Sequence, residues 1–133
     1  MRYDPCWKQI GITHERYREL KYFCLQYPAW KTEADSLLGV RAIKMDGMPH
    51  GSGKSDPVAM AAERRDKLLS KMKVVDDCAR EIGGGKWYAV MIQHVCNGKS
   101  YEQLDKALMP TSYRKEFFEQ RKMFFELLDK KTE

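Results

Sequence analysis

DPVAMAAERRDKLLSKMKVVDDCAREIGGG, residues 56–85, is the stretch on which the fold turns. Asp56 followed by Pro57 marks a helix start. The aspartate side chain can accept from the orphan amides of a first turn, and proline suits the first helical position, where its missing N–H costs nothing. From there Val58, Ala61, Leu68, Met72, Val75, Ala79 and Ile82 recur at alternating steps of three and four, with Arg65 interrupting the seam. Gly83-Gly84-Gly85 then ends the run. A helix over 57–82 is about 39 Å long and must bury its stripe. Small Ala61 and Ala79 and the charged Arg65 make a poor two-stranded coiled coil, so the expected partners are Tyr17, Leu20, Phe23 and Trp30 of the same chain. The assembly expected from this is a monomer or a weak homodimer.

Working toward the N-terminus, THERYRELKYFCLQY places Tyr17, Leu20, Cys24 and Tyr27 on one helical face, with Thr13 as its cap and Glu15 suited to the dipole of the first turn. Pro28 should interrupt that helix, AWKTEADSLL should resume it, and Gly39 should end it. The following segment, VRAIKMDGMPHGSGKSD, holds three glycines, a proline and two serines and reads as a loop.

Toward the C-terminus, KWYAVMIQHVCNGKS gives a short helix with Trp87, Val90, Met91, His94 and Val95 on one face and Asn97-Gly98 as its exit. YEQLDKAL carries Leu104, Ala107 and Leu108 at helical spacing, and MPT separates it from SYRKEFFEQRKMFFELLDKK. In that last helix Ser112 is the expected cap, and Phe117, Phe124, Leu127 and Leu128 form the core face. The expected architecture is all-α: an N-terminal helical region over 1–39, a linker loop over 40–56, a long helix over 57–82, and a helix-turn-helix domain over 86–133.

Composition narrows the function classes. The chain of 133 residues has a formal net charge of +5 that is spread evenly along its length, compatible with an acidic partner but weak as an argument for one. A mean hydropathy of -0.65 and the lack of an apolar run near the roughly 20 residues of a membrane helix argue against a membrane partner. MRYDPCWKQI lacks the apolar core of a secretory leader, so the expected location is the cytoplasm. Cys6, Cys24, Cys78 and Cys96 form no C-x-x-C pair and read as reduced, mostly core thiols. His14, His50 and His94 are scattered, so neither a metal site nor a nucleophile–base pair can be assembled by spacing, and neither enzymatic activity nor a cofactor is expected. GMPHGSGKS resembles a phosphate-binding loop only superficially. Such a loop needs glycine five residues before Gly53, where Met48 stands, and Gly47 comes one residue too early.

The helix pair over 101–108 and 112–130 is the stronger candidate, because a helix-turn-helix sets the N-terminal end of its second helix into the major groove. Tyr113, Arg114 and Lys115 occupy that end, Lys122 lies two turns beyond Lys115, Phe118 and Arg121 border the strip, and Lys99 and Tyr101 precede the first helix. The bland alternative is a solvated face on which Glu116, Glu119 and Glu126 offset the positive charges.

Four stretches carry a resemblance over nearly the whole chain: ITHERYRELKYFCLQYPAWK at 12–31, DGMPHGSGKSDPV at 46–58, NGKSYEQLDKAL at 97–108 and MPTSYRKEFFEQRKMFFELL at 109–128. Together they resemble the small phage-encoded late transcription regulators, the RinA, ArpU and Ltr-type group, whose C-terminal part is similar to the sigma-factor region-four domain. The resemblance implies binding to double-stranded DNA in the control of phage or prophage late genes, with RNA polymerase as a partner. It further implies that Ser112 caps the recognition helix, that Arg114 and Lys115 reach DNA, and that Phe117, Phe124 and Phe125 anchor the helix. Glu116 and Glu119 depart from the family's basic pattern. The rival from another class is a structural or packaging adaptor that joins a helix-turn-helix to an oligomerisation helix.

Overall fold

A computed structural model describes residues 5–43 and 56–133 of the chain; the Gly47–Asp56 stretch, apart from its last residue, lies outside them. The described residues are helical with no strand: α1 (Cys6–Gln9), α2 (His14–Leu25), α3 (Tyr27–Ile43), α4 (Pro57–Glu81), α5 (Tyr88–Val95) and α6 (Arg114–Lys131), joined in places by short 3-10 turns. The all-α reading of the sequence holds.

Each boundary has a local cause. The Thr13 hydroxyl accepts from the Arg16 amide at 3.0 Å and opens α2. Pro28 has no amide to offer the turn before it, so α2 closes at Leu25, Gln26 keeps near-helical angles, and α3 starts at once with the proline in its first turn. Gly39 does not stop α3. The helix continues to Ile43, so residues 40–43 belong to it and not to the loop. A mid-helix glycine weakens a helix by only about 1 kcal/mol and needs a compatible left-handed exit to end it. Asp56 caps α4 as its position predicts, its carboxylate accepting from the Val58 amide at 3.0 Å and the Ala59 amide at 3.3 Å.

Along α4 the stripe Leu68, Val75, Ala79 and the following Ile82 is buried, with Met72 half-buried. Its main partner is α3, through Trp30, Ala34 and Leu37. Arg65 at the seam pairs with no carboxylate among the described residues, and its Nε donates to the Ala34 carbonyl at 3.2 Å. Arg64 pairs with Glu33 beside it. After Glu81 the chain turns sharply, with Gly83 at φ +53°. A Cβ at Gly83 would lie 2.4 Å from Trp87 Cδ1, so both the backbone angle and the indole demand glycine there.

The turn delivers α5 into the centre, where Val90 and Met91 are completely buried. Phe117, Phe124, Phe125 and Leu128 of α6 join the same cluster as Leu20 and Cys24 of α2 and Val75 and Cys78 of α4. One core thus runs from Cys6 to Leu128, and the C-terminal segment closes it together with α2 and α4. Polar clamps tie the ends together. Arg16 of α2 donates to Asp129 at 2.7 Å and to the Thr132 hydroxyl at 2.7 Å. The hydroxyls of Tyr27 and Tyr88 both donate to Asp76 Oδ1, at 2.8 and 2.7 Å, joining α3, α4 and α5. All four cysteines are free and buried. Burial pushes the thiols of Cys78 and Cys96 up to about 12, which keeps them protonated and unreactive at neutral pH.

The shared core has a measurable consequence. Phe124→Ala removes a fully buried ring and should cost about 3–5 kcal/mol. Urea denaturation followed on Trp30 and Trp87 fluorescence should show one transition moved to lower denaturant. A midpoint equal to wild type would contradict this packing.

Candidate nucleic-acid interface

The chain leaves α5 through Asn97 and Gly98, and Ser100 to Met109 then forms two 3-10 turns (Tyr101–Gln103 and Lys106–Leu108) where the apolar spacing predicts an α-helix. The expected first helix of a helix-turn-helix is therefore not formed. Only Leu104 of the three patterned residues finds the core, and its extended backbone at ψ 149° breaks the run. Ala107 is exposed, and Leu108 is 43% exposed. Side chains fix the irregular path: the Gln103 amide oxygen accepts from the Ser100 amide at 2.9 Å, and Asp105 accepts from the Ala107 amide at 3.0 Å.

The cap of α6 also differs from expectation. Tyr113, not Ser112, is the flanking residue and makes no side-chain cap. Ser112 sits one position too early for its oxygen to reach the first-turn amides, while the Thr111 hydroxyl accepts from the Tyr113 amide at 3.2 Å.

Arg114, Phe118 and Arg121 stand at i, i+4 and i+7 on α6 and share one face. The Arg114 guanidinium lies 4.8 Å from the Tyr101 ring centre and 5.2 Å from that of Phe118. Arg121 lies 4.9 Å from the Phe118 ring centre. Tyr101 stacks on Phe118 at 5.8 Å with 30° between the planes. Lys106, which the spacing argument did not single out, sits 4.2 Å from the Tyr101 ring centre and donates to the Tyr101 carbonyl. The only signal for it in the sequence is its place five residues after Tyr101. The result is a belt of cations laid on two aromatic rings. Glu102 is the belt's one ion-paired carboxylate among the described residues, bonded to Arg114 at 2.7 Å, and that bond holds its carboxyl below the usual range.

The remaining sequence candidates are placed less tightly. Lys99 is exposed, and Tyr113 is 68% exposed at the start of α6. Lys115 is exposed and Lys122 half-buried, but with Glu119 and Glu126 they occupy positions i, i+4, i+7 and i+11 of one strip, where the charges alternate in sign. The uncompensated positive charge therefore belongs to the Arg114 face more than to the lysine strip.

Beneath the belt, Phe117 is completely buried and meets Tyr101 at 5.3 Å, Phe118 at 5.1 Å, His94 at 5.1 Å and Trp87 at 6.3 Å. The His94 imidazole donates from Nδ1 to the Lys99 carbonyl at 2.7 Å. Burial holds its pKa below the ordinary 6.5, an effect the Lys99 bond opposes and the nearby charges of Arg121 and Lys21 reinforce. Among the described residues no three His, Cys, Asp or Glu side chains converge to hold a metal ion, and no helix is long and apolar enough to cross a membrane.

No protein-family model matches this chain, and comparison with curated proteins and with solved structures finds none that matches it.

The lowered pKa of His94 gives stability a defined pH window. Below 6.5 the unfolded chain takes up a proton at this residue that the folded chain resists, so its contribution is full above 6.5 and falls as pH drops through the folded value. Urea midpoints measured between pH 7.5 and 5.5 should fall for wild type and stay flatter for His94→Gln. Parallel pH profiles for the two proteins would contradict the placement of His94.

Proposed function

We propose that the protein is a DNA-binding transcriptional regulator of phage or prophage late genes, acting on double-stranded DNA without catalysis. The observation that supports this most is the belt itself: Lys106, Arg114 and Arg121 held on the faces of Tyr101 and Phe118, with one paired carboxylate between them. An arginine stacked on a ring keeps its full charge and its in-plane donors while already restricted in rotamer. It therefore loses less freedom on meeting a phosphate or a guanine edge than a free lysine does.

The DNA-facing element in this reading is the N-terminal part of α6, where Tyr113, Arg114 and Lys115 stand, with Lys99, Tyr101, Ser112, Phe118, Arg121 and Lys122 around it. The irregular 101–108 segment takes the supporting role that a helix has in a helix-turn-helix. The phage setting, the cytoplasmic location and RNA polymerase as a protein partner rest on the resemblance of the four sequence stretches, and the monomer or weak homodimer on the seam of α4. The rival reading as an adaptor has one feature in its favour. Leu38 and Met60, in the parts of α3 and α4 beyond the core, are 44% and 58% exposed.

Fluorescence anisotropy against duplex fragments of the source genome separates the two. The regulator should bind with an affinity that falls steeply as salt rises. Arg114→Ala should weaken binding about tenfold, or ~1.4 kcal/mol, with an unchanged melting temperature. Failure of every duplex to bind at micromolar protein and low salt would sink this reading in favour of the adaptor.

A further inference from the structure

The groove between α3 and α4 shares no residue with the belt. Gln26 and, from α3, Trp30 and Glu33 line one wall of a cavity of about 590 Å³, with Arg64, Lys67 and Lys71 of α4 on the other. A second cavity of about 420 Å³ is lined by Leu37, Met60 and Ala61, and Arg64 and Lys67 line both, so the two are parts of one groove. On α4 it runs from Met60 to Lys71, about three turns or ~16 Å of helix axis.

Its two ends differ in chemistry. Toward Met60, which is 58% exposed, the lining is apolar apart from the Glu63 carboxylate on the wall. Toward Lys71 it is cationic. Arg64 is paired with Glu33 there, but Lys67 and Lys71 take part in no ion pair among the described residues. Lys71 lies 5.6 Å from the Trp30 ring centre. Lys67 and Lys71 stand at i and i+4 of α4, where like charges work against the helix that carries them. An anion placed between them removes that repulsion.

We propose that this groove docks an acidic amphipathic helix of a partner protein, with its apolar side chains over Leu37 and Met60 and its carboxylates between Lys67 and Lys71. The length of the groove matches one helix face that carries apolar anchors in its first turns and carboxylates in the turns that follow. A polypeptide suits it better than nucleic acid does. Two packed helices leave a groove that seats a third, one end of this groove is apolar, and Glu33 and Glu63 on the walls repel a phosphate chain running its length. The site is independent of the DNA-binding reading and adds a protein contact at the opposite end of α4 from the glycine turn.

The test is fluorescence anisotropy of labelled, alanine-based helical peptides titrated with the full chain. One peptide carries two leucines and then two glutamates along one face, made in both chain directions, and the controls replace glutamate with glutamine or lysine. The glutamate peptide should bind in one direction with a Kd below about 1 mM, and more weakly as salt rises. Lys67→Glu/Lys71→Glu, at two exposed positions, should weaken it about tenfold and accept the lysine peptide instead, with circular dichroism and melting temperature checking the fold. Met60→Gln should weaken both pairings without reversing the charge preference. Absence of binding in both directions, equal binding of the glutamine peptide, or an unaltered affinity in either variant overturns the proposal. So does a Lys67→Glu/Lys71→Glu protein that loses duplex affinity as Arg114→Ala does, since its cations then belong to the nucleic-acid surface. A wild-type chain that binds the peptide but no duplex overturns the DNA-binding reading and leaves this proposal standing.

Discussion

The burial of Phe117 is the contact on which the rest of this structure depends. Its ring is fully enclosed, in contact with Trp87 and His94 of the α5 region and with Tyr101 and Phe118. Trp87 belongs to the core, and Tyr101 and Phe118 carry Lys106, Arg114 and Arg121. A ring in that position converts packing into electrostatics: whatever orients Phe117 also sets the plane on which the cations lie. It also explains how a segment with only two short 3-10 turns between α5 and α6 keeps a defined path, because Leu104 and the aromatic contacts pin it where regular hydrogen bonding does not.

The same economy governs the polar groups. Arg16 reaches across to the end of α6, and Asp76 collects the hydroxyls of Tyr27 and Tyr88 from two different helices. Each clamp satisfies several half-buried donors with one acceptor set, so that α2, α3, α4, α5 and α6 share one arrangement. Arg65 solves a different problem. A charge at an apolar seam is expensive, and the Ala34 carbonyl offers it a partner on the facing helix while its exposed portion stays near solvent. Arg121 is held differently, between the Phe118 ring and the Cys6 thiol, with its buried Nε unpaired.

Much of the fold was legible where local chemistry and periodicity agree. Asp56-Pro57 and the glycine triplet bound α4 where the sequence places its ends, and Phe117, Phe124 and Leu128 line the core as their spacing requires. The failures have physical causes. Leu104, Ala107 and Leu108 are spaced for a helix, but periodicity cannot say whether a core exists to receive all three, and only one is buried. Ser112 looks like a cap because of its residue type, yet capping depends on a one-residue register that composition leaves open. Gly39 looks like a stop, but a lone glycine costs too little to end a helix that α4 supports. Spacing along α6 ranks Lys115 and Lys122 with Arg114, and Lys99 and Tyr101 enter only as the residues that precede the expected first helix. Lys106 comes into view only when the 3-10 turns and α6 are brought to the same aromatic surface.

The central claim is that duplex DNA meets the protein on the surface that Phe117 supports. Titration of isotopically labelled full-length protein with a duplex, followed by amide and side-chain NMR shifts, tests it most directly. The account predicts that the largest changes fall on Lys99 to Lys106 and Tyr113 to Arg121, including the Arg114 and Arg121 side-chain Nε–H signals, with α3 and the first half of α4 unmoved. Shifts confined to the α3–α4 end around Leu38 and Met60, with the Arg114 and Arg121 signals unchanged, would contradict it.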